Sequence, residues 1–510
     1  MTEVDVRVLQ IGQEDWSQKY DIPEHMEWSY GRPDNYRPLL FDEKGKKVRA
    51  FSLILFTDET AYEQTFDDLF YFATSYSVFY NDKLVDWQAQ KALFVSRVAK
   101  PMDMSDPACL IPELGHDFFS GQEGSKADNR YVNIYEDFKG KVSYQGNSFI
   151  HLEGEFGEDF KPLLTWRYNI SSRPGQTLDF WLEYLKEGEV NLILKAYRFI
   201  GDSSDLDDSY TFTEIDMEKQ ITIPSKEREH YLSFVLYAKG NGTLKLGPLH
   251  QRRARNSYGE YIAGGQRLVD DKRQELIAYF SPGDLKPPLN VYFSGYRTAE
   301  GFEGYWMMSK MKSPFILIGD PRLEGGSFYM GSDQLENQVT EFIEDKLQYL
   351  GFNKKQMILS GLSMGSFGAS YYASRLEPHA VIIGKPLFSL GTIAQNGFQM
   401  RPDEFGTAFD MVHSLTNQLT KESMEDVNQK FWKAIEKADF SRTLFAIAYM
   451  KHDDYDNNAY YDFLDWSQGK NIKVISKGIE GRNNDNSASI SQWFLNQYAR
   501  IMSLDFGRKS

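Results

Sequence analysis

The stretch QMILSGLSMGSFGASYYASRL, residues 356–376, reads as a strand, a sharp turn and a helix. Its centre, Gly361-Leu362-Ser363-Met364-Gly365, fits the G-x-S-x-G pattern of a serine nucleophile. A bare pattern of this kind is a weak signal, and its context adds the weight. The β-prone QMIL runs directly into the turn, and SFGASYYASRL (366–376) leaves it as a helix. So tight a turn needs small neighbours, which Gly361 and Gly365 supply, while Gly368 and Ala369 let the helix approach the sheet. The helix N-terminus then favours negative charge developing at Ser363. The alternative is an ordinary glycine-rich strand–helix turn.

The rest of a serine triad is sought around this elbow. The first oxyanion donor is expected at the backbone N–H of Met364, the residue after the serine. The second is expected in the loop after the strand LNVYFSG (289–295), near Gly295 and Tyr296. In this sheet type the acid and the base follow the serine in chain order. The loop KHDDYDNN (451–458) offers Asp453, with Asp454 next and Asp456 beyond; the plainer reading is a solvated acidic loop. The base belongs after the last strand, where KVISKGIEGRNNDNSAS (473–489) contains no histidine. Asn483 or Asn484 stands there instead, and an amide has no basic nitrogen to take up a proton. His452, beside Asp453, is the one nearby alternative base, and a surface role is the plainer reading for it.

Outward from the elbow, residues 261–510 alternate strands (LNVYFSG, FILIGD, QMILSG, AVIIGK, TLFAIAYM, NIKVISKG) with helical patterns. In DQLENQVTEFIEDKLQYLG (333–351), Leu335, Val339, Phe342, Ile343, Leu347 and Leu350 share one face and Gly351 sits at the helix stop. This alternation predicts a mostly parallel sheet covered by helices, an α/β-hydrolase-like domain. Residues 131–260 carry strand-like runs separated by turn residues and predict a β-sandwich, with a hairpin turn at Asn241-Gly242. Its many aromatics are expected mainly in the core, with a sugar-stacking face as the alternative. Residues 1–130 read as a small α/β region: VRVLQIG and FSLILFT as strands, AYEQTFDDLFYFATSYS (61–77) as an amphipathic helix.

The 510 residues exceed what one core accommodates. The 57 basic and 73 acidic residues give a charge of −16, which argues against nucleic acid or anionic lipid as the main ligand. The single cysteine, Cys109, allows no intrachain disulfide and is expected to be a buried small residue. No apolar run approaches the roughly 20 residues that span a bilayer. The acidic opening MTEVDVRVLQIGQEDWSQ lacks the features of a signal peptide, so a cytoplasmic location is expected. No residue cluster predicts a metal site or a required cofactor.

The chain resembles the second of the three accessory secretory proteins of Gram-positive bacteria. The resemblance covers nearly the whole length. It is carried by VLQIGQEDWSQKYDIPEHMEW (8–28), GTLKLGPLHQRRAR (242–255), PPLNVYFSGYR (287–297), GLSMGSFGA (361–369) and KGIEGRNNDNS (477–487). It implies a cytosolic protein working with two sister accessory secretory proteins, the accessory Sec motor ATPase and its channel. That assembly exports glycosylated serine-rich repeat adhesins, and the location can include the membrane periphery through the export machinery. It also implies O-acetylation of N-acetylglucosamine on the adhesin, besides a non-enzymatic transport role. The family's nucleophile maps onto Ser363, its acidic member onto Asp453, and its histidine onto Asn483. The departure at Asn483 predicts impaired catalysis. Two other functions stay open: a serine esterase acting on acylated polysaccharide, and a purely non-catalytic glycoprotein-binding export factor. The acyl donor is not legible.

Overall fold

The structure, a computed structural model, describes residues 5–58, 66–83, 92–402 and 404–508. Near the N-terminus, five parallel strands line up in the order Met26–Gly31, Val6–Ile11, Leu53–Phe56, Val78–Asn81, Lys100–Met102. Both predicted strands are among them. The amphipathic helix expected over 61–77 is not what its described part forms: Asp67–Tyr71 is a short 3-10 helix and residues 61–65 lie outside the described residues. The physical reason is the spacing of Phe66, Leu69 and Phe72, all buried. A repeat of three matches the eclipsed 3-10 turn better than the α-helix. Cys109 is exposed, not buried. It sits in the helix Pro107–Asp117, which buries Leu110, Ile111 and Leu114 on its other side.

The middle of the chain builds a nine-stranded sheet, antiparallel throughout, around three long strands, Phe149–Trp166, Leu178–Ile200 and His230–Arg253. These strands double over their own core as a sandwich. Phe180 pairs in register with Gln251 and Phe234 with Ala196, far apart along the ladder, yet the two rings lie 4.8 Å apart. The predicted Asn241-Gly242 hairpin turn is therefore a bend inside one continuous strand, where Asn241 pairs with Glu189 and Gly242 with Gly188. Gly240 and Gly242 have φ of 99° and 151°, and a Cβ on either would run into the facing carbonyls of Glu189 or Glu187. A hairpin turn and a bend ask for the same residues, so the local sequence reads alike. Fewer than half of the aromatics here are buried, among them Phe156, Trp166, Phe180 and Phe234, so the core takes fewer than expected; Tyr131, Tyr135, Tyr144, Phe160 and Tyr168 are exposed.

The C-terminal sheet has eight strands in the order Gln266–Val269, Glu275–Ser281, Phe315–Gly319, Leu289–Phe293, Met357–Leu362, Ala380–Gly384, Leu444–Met450, Lys473–Ile479. The first two pair antiparallel and the remaining six run parallel. This is the α/β-hydrolase-like arrangement the alternation predicts. One exchange of order matters for function. It sets Leu289–Phe293 directly beside Met357–Leu362, so the loop after the former reaches the turn after the latter.

A buried ionic cluster joins the middle sheet to this one. His250 Nε2 lies 2.9 Å from Glu183 and its Nδ1 faces Glu300. Arg252 pairs with both Glu275 and Glu300, Tyr261 donates to Glu300 at 2.6 Å, and Arg267 reaches Glu275 at 2.6 Å. With a carboxylate at each ring nitrogen, His250 is an imidazolium. Burial alone would push its pKa down, but Glu300 and Glu183 outweigh burial and raise it to about 9.

Candidate active site

Ser363 occupies the turn between the strand Met357–Leu362 and the helix Met364–Leu376. Its φ of 52° and ψ of −121° are strained for a residue with a side chain, as a nucleophile elbow demands. The flanking glycines are sterically required. A Cβ on Gly361 would enter the Gly365 carbonyl, and one on Gly365 would enter the Phe293 carbonyl oxygen. Gly365→Ala is therefore expected to cost about 3 kcal/mol or more, since backbone cannot yield as a flexible side chain does. A fall in the urea midpoint measures it.

The serine opens into a cavity of about 560 Å³. Met364 begins the elbow helix, and its N–H is one of the first four that lack an intrahelical acceptor. It lines the cavity with Gly295 and Tyr296. Gly295 departs from the simple expectation. Its N–H donates to Glu303 Oε2 at 2.7 Å, and the Glu303 N–H donates back to Ser294 Oγ at 3.1 Å. The loop thus closes on itself, and the Gly295 N–H is free for another acceptor only when Glu303 yields. Burial raises the Tyr296 hydroxyl to about 12, so it is a neutral hydrogen-bonding group at neutral pH.

The structure brings Asp453 and Asn483 together. Asn483 is buried, and its Nδ2 donates to Asp453 Oδ2 at 2.7 Å. Asp453 Oδ1 accepts the N–H groups of Tyr455 and Asp456 at 2.9 and 3.1 Å. Burial raises the Asp453 pKa, opposed by the Asn483 hydrogen bond. The amide thus makes the bond an imidazole Nδ1–H would make, and Asn483 lines the cavity with Ser363. Asp454 plays a different part. It is held by Arg401 at 2.7 Å and accepts the Asn483 backbone N–H at 3.1 Å, so it braces the loop. Asp456 accepts the N–H groups of Phe388 and Ser389, both at 2.7 Å, and burial lifts its pKa to about 7. Asn484 also lines the cavity, with its amide on Glu404. His452 points away: its side chain is 72% exposed and lies 3.4 Å from Glu480.

Among the polar side chains of this cavity that sequence reasoning missed are Glu303, Glu324, Lys385, Glu404, Tyr455 and Ser487. Lys385 alone left a signal, since it follows the strand AVIIG at the edge of the sheet where such sites form. One group has the spacing of metal ligands among the described residues, His250, Glu275 and Glu300, with donor atoms within 4.8 Å of one another. Both His250 nitrogens already face carboxylates, and Arg252 and Arg267 neutralise Glu275. Its chemistry is that of an ion-pair cluster. No helix among the described residues is long and apolar enough to cross a membrane.

Comparison with known proteins places these features. The family model described as "Accessory Sec system GspB-transporter" matches residues 6–508. An accessory Sec system protein of Streptococcus gordonii is 40% identical, with 99% of each chain covered. Its counterpart from Staphylococcus aureus is also 40% identical, covering 98% of this chain and 97% of its own. The solved Glycosylation Associate Protein (Gap123) complex from Streptococcus agalactiae contains a similar chain, 41% identical with a TM-score of 0.88, covering 100% of both.

Proposed function

The chain belongs to the GspB-transporter family of accessory Sec system proteins, and from that premise we propose that it supports export of glycosylated serine-rich repeat adhesins while retaining a weakened serine-dependent acyl-transfer site. Ser363 is the nucleophile, attacking an activated acetyl donor. The N–H of Met364 holds the oxyanion, joined by Gly295 or Tyr296. The acyl-enzyme passes acetyl to a hydroxyl of N-acetylglucosamine on the adhesin. Asp453 positions the residue at 483, which here cannot accept the proton. The observation that carries this reading is Ser363 at positive φ in a cavity shared with the Asp453–Asn483 pair.

The proposal includes a cytoplasmic location and assembly with two sister accessory proteins. The Gap123 complex supports the latter, being a complex that holds a chain of this kind. Contact with the motor ATPase and channel belongs to the same reading. The exposed rings of Tyr144 and Tyr168 are the candidates for sugar stacking on the sandwich.

The test is co-expression with a glycosylated serine-rich repeat substrate and mass spectrometry of its glycans. Ser363→Ala is expected to remove the remaining acetyl groups and leave export intact. Equal acetylation in both would overturn the acyl-transfer half. The second reading, a non-catalytic export factor, is favoured by Asn483 itself, because a buried amide satisfied by Asp453 needs no proton chemistry to be stable.

A further inference from the structure

We propose that Lys385, acting through the Ser487 hydroxyl, takes up the Ser363 proton in place of the absent imidazole. The inference rests on the acyl-transfer reading above. Lys385 directly follows the strand Ala380–Gly384, and the Gly384 carbonyl accepts the Ser363 N–H at 2.9 Å. The lysine therefore starts one residue from the point where the nucleophile is anchored. It holds a φ of 55° and is only 8% exposed. Its Nζ donates to Ser487 Oγ at 2.8 Å, and no carboxylate of a described residue lies within 4 Å of it. Lys385, Ser487 and Ser363 line one cavity.

Ser487 begins its own helix, Ser487–Phe506, and lies exposed on the lining of the cavity. Ile490, one turn on, converges with Leu362 over Gly384, and Leu362 immediately precedes the nucleophile. Residues three apart on a helix share a face, so Ser487 is presented to the same corner of the cavity. The positive end of this helix also disfavours an ammonium beside it. Burial lowers the Lys385 pKa further, against the pull of Asp453. The charged groups around it are Asp453, Asp485 and Arg401, with Glu303, Glu324 and Glu404 also on the cavity wall.

The protons balance. Neutral Lys385 accepts the Ser487 proton as Ser487 accepts that of Ser363. Ser363 Oγ forms a bond to the acyl carbon of an activated ester or thioester, and the oxyanion collapses with loss of the alkoxide or thiolate. That leaving group recovers the proton from the lysine ammonium through Ser487. The acceptor hydroxyl then repeats the exchange in reverse, and Ser363 leaves as a neutral hydroxyl. Serine–lysine pairs on other folds show that an amine suffices for such chemistry.

The experiment measures turnover of a small activated acetyl ester against pH for the full chain and for Lys385→Met, Ser487→Ala, Asn483→His and Asn483→His/Lys385→Met. Ser363→Ala controls accompany each background. The expected result is a Ser363-dependent rate in the unaltered chain that falls at least about 100-fold in Lys385→Met, recovers with added small primary amines, and rises with pH along a limb higher than that of Asn483→His. In the Asn483→His background the same lysine substitution costs less than about 10-fold, which also shows that the variant folds. Ser363-dependent turnover that ignores Lys385, or a Lys385→Met loss that amines do not rescue, overturns the relay while the acyl-transfer reading stands. An inactive unaltered chain beside an active Asn483→His does the same. Inactivity in both overturns the two readings together.

Discussion

In a Lys385→Met background, Asn483→His raises turnover of a small activated acetyl ester by about 10²–10⁴-fold, the range a positioned general base contributes. The physical ground is the bond already in place. Asn483 Nδ2 donates to Asp453 Oδ2 at 2.7 Å, and Asp453 is held in turn by the N–H groups of Tyr455 and Asp456. An imidazole can make that bond through Nδ1–H and leave Nε2 free for the Ser363 proton. The gain must vanish in Asn483→His/Ser363→Ala. A gain that survives loss of Ser363 would place the reacting group elsewhere. No gain at all would mean the cavity misaligns an imidazole, with the Glu303 hold on Gly295 as the next obstacle to remove.

Glu300→Gln destabilises the fold by about 3–5 kcal/mol, the cost of breaking a buried ion pair from one side. Glu300 faces His250, Arg252 and Tyr261 in the seam between the middle and C-terminal sheets, and all four are buried. Removing its charge leaves three cations, His250, Arg252 and Lys126, short of a partner where little water reaches. Urea denaturation followed by circular dichroism measures the loss. An unchanged midpoint would mean that Glu183 and Glu275 carry the cluster alone.

The same cluster sets a pH window. His250 is raised to about 9 in the fold, above its unfolded value near 6.5. Its stabilisation is complete below about 6.5 and is lost as pH rises towards 9, about 3 kcal/mol in all. Glu300 runs the other way. Burial would raise it, but His250 and Arg252 hold it near 2, so its contribution is present above the usual carboxylate range and lost as pH falls towards that value. The His250–Glu300 attraction is one interaction and counts once. Greatest stability is expected at mildly acidic pH, and it should shift in Glu300→Gln.

Elements whose constraints are local are legible along the chain. Gly361, Ser363 and Gly365 announce the elbow because steric limits act within a few residues of the turn, and the structure shows the carbonyls that forbid larger side chains there. The parallel sheet was legible because a strand–helix alternation has few ways to bury both faces. Local reasoning erred where two structures ask for the same residues. Asn241-Gly242 suits a hairpin turn as well as a bend in a long strand, and Phe66, Leu69 and Phe72 suit a 3-10 turn once the α-helix is set aside. What meets across distance follows from the packing of the layers. Lys385 touches Ser487 from 102 positions away, and Asn483 meets Asp453 from 30. Glu300 meets His250 from 50 away, at a seam between sheets. Such contacts depend on strand order and on which loops share the same edge of a sheet. No periodicity along the chain encodes that order, because it is set by how whole layers pack.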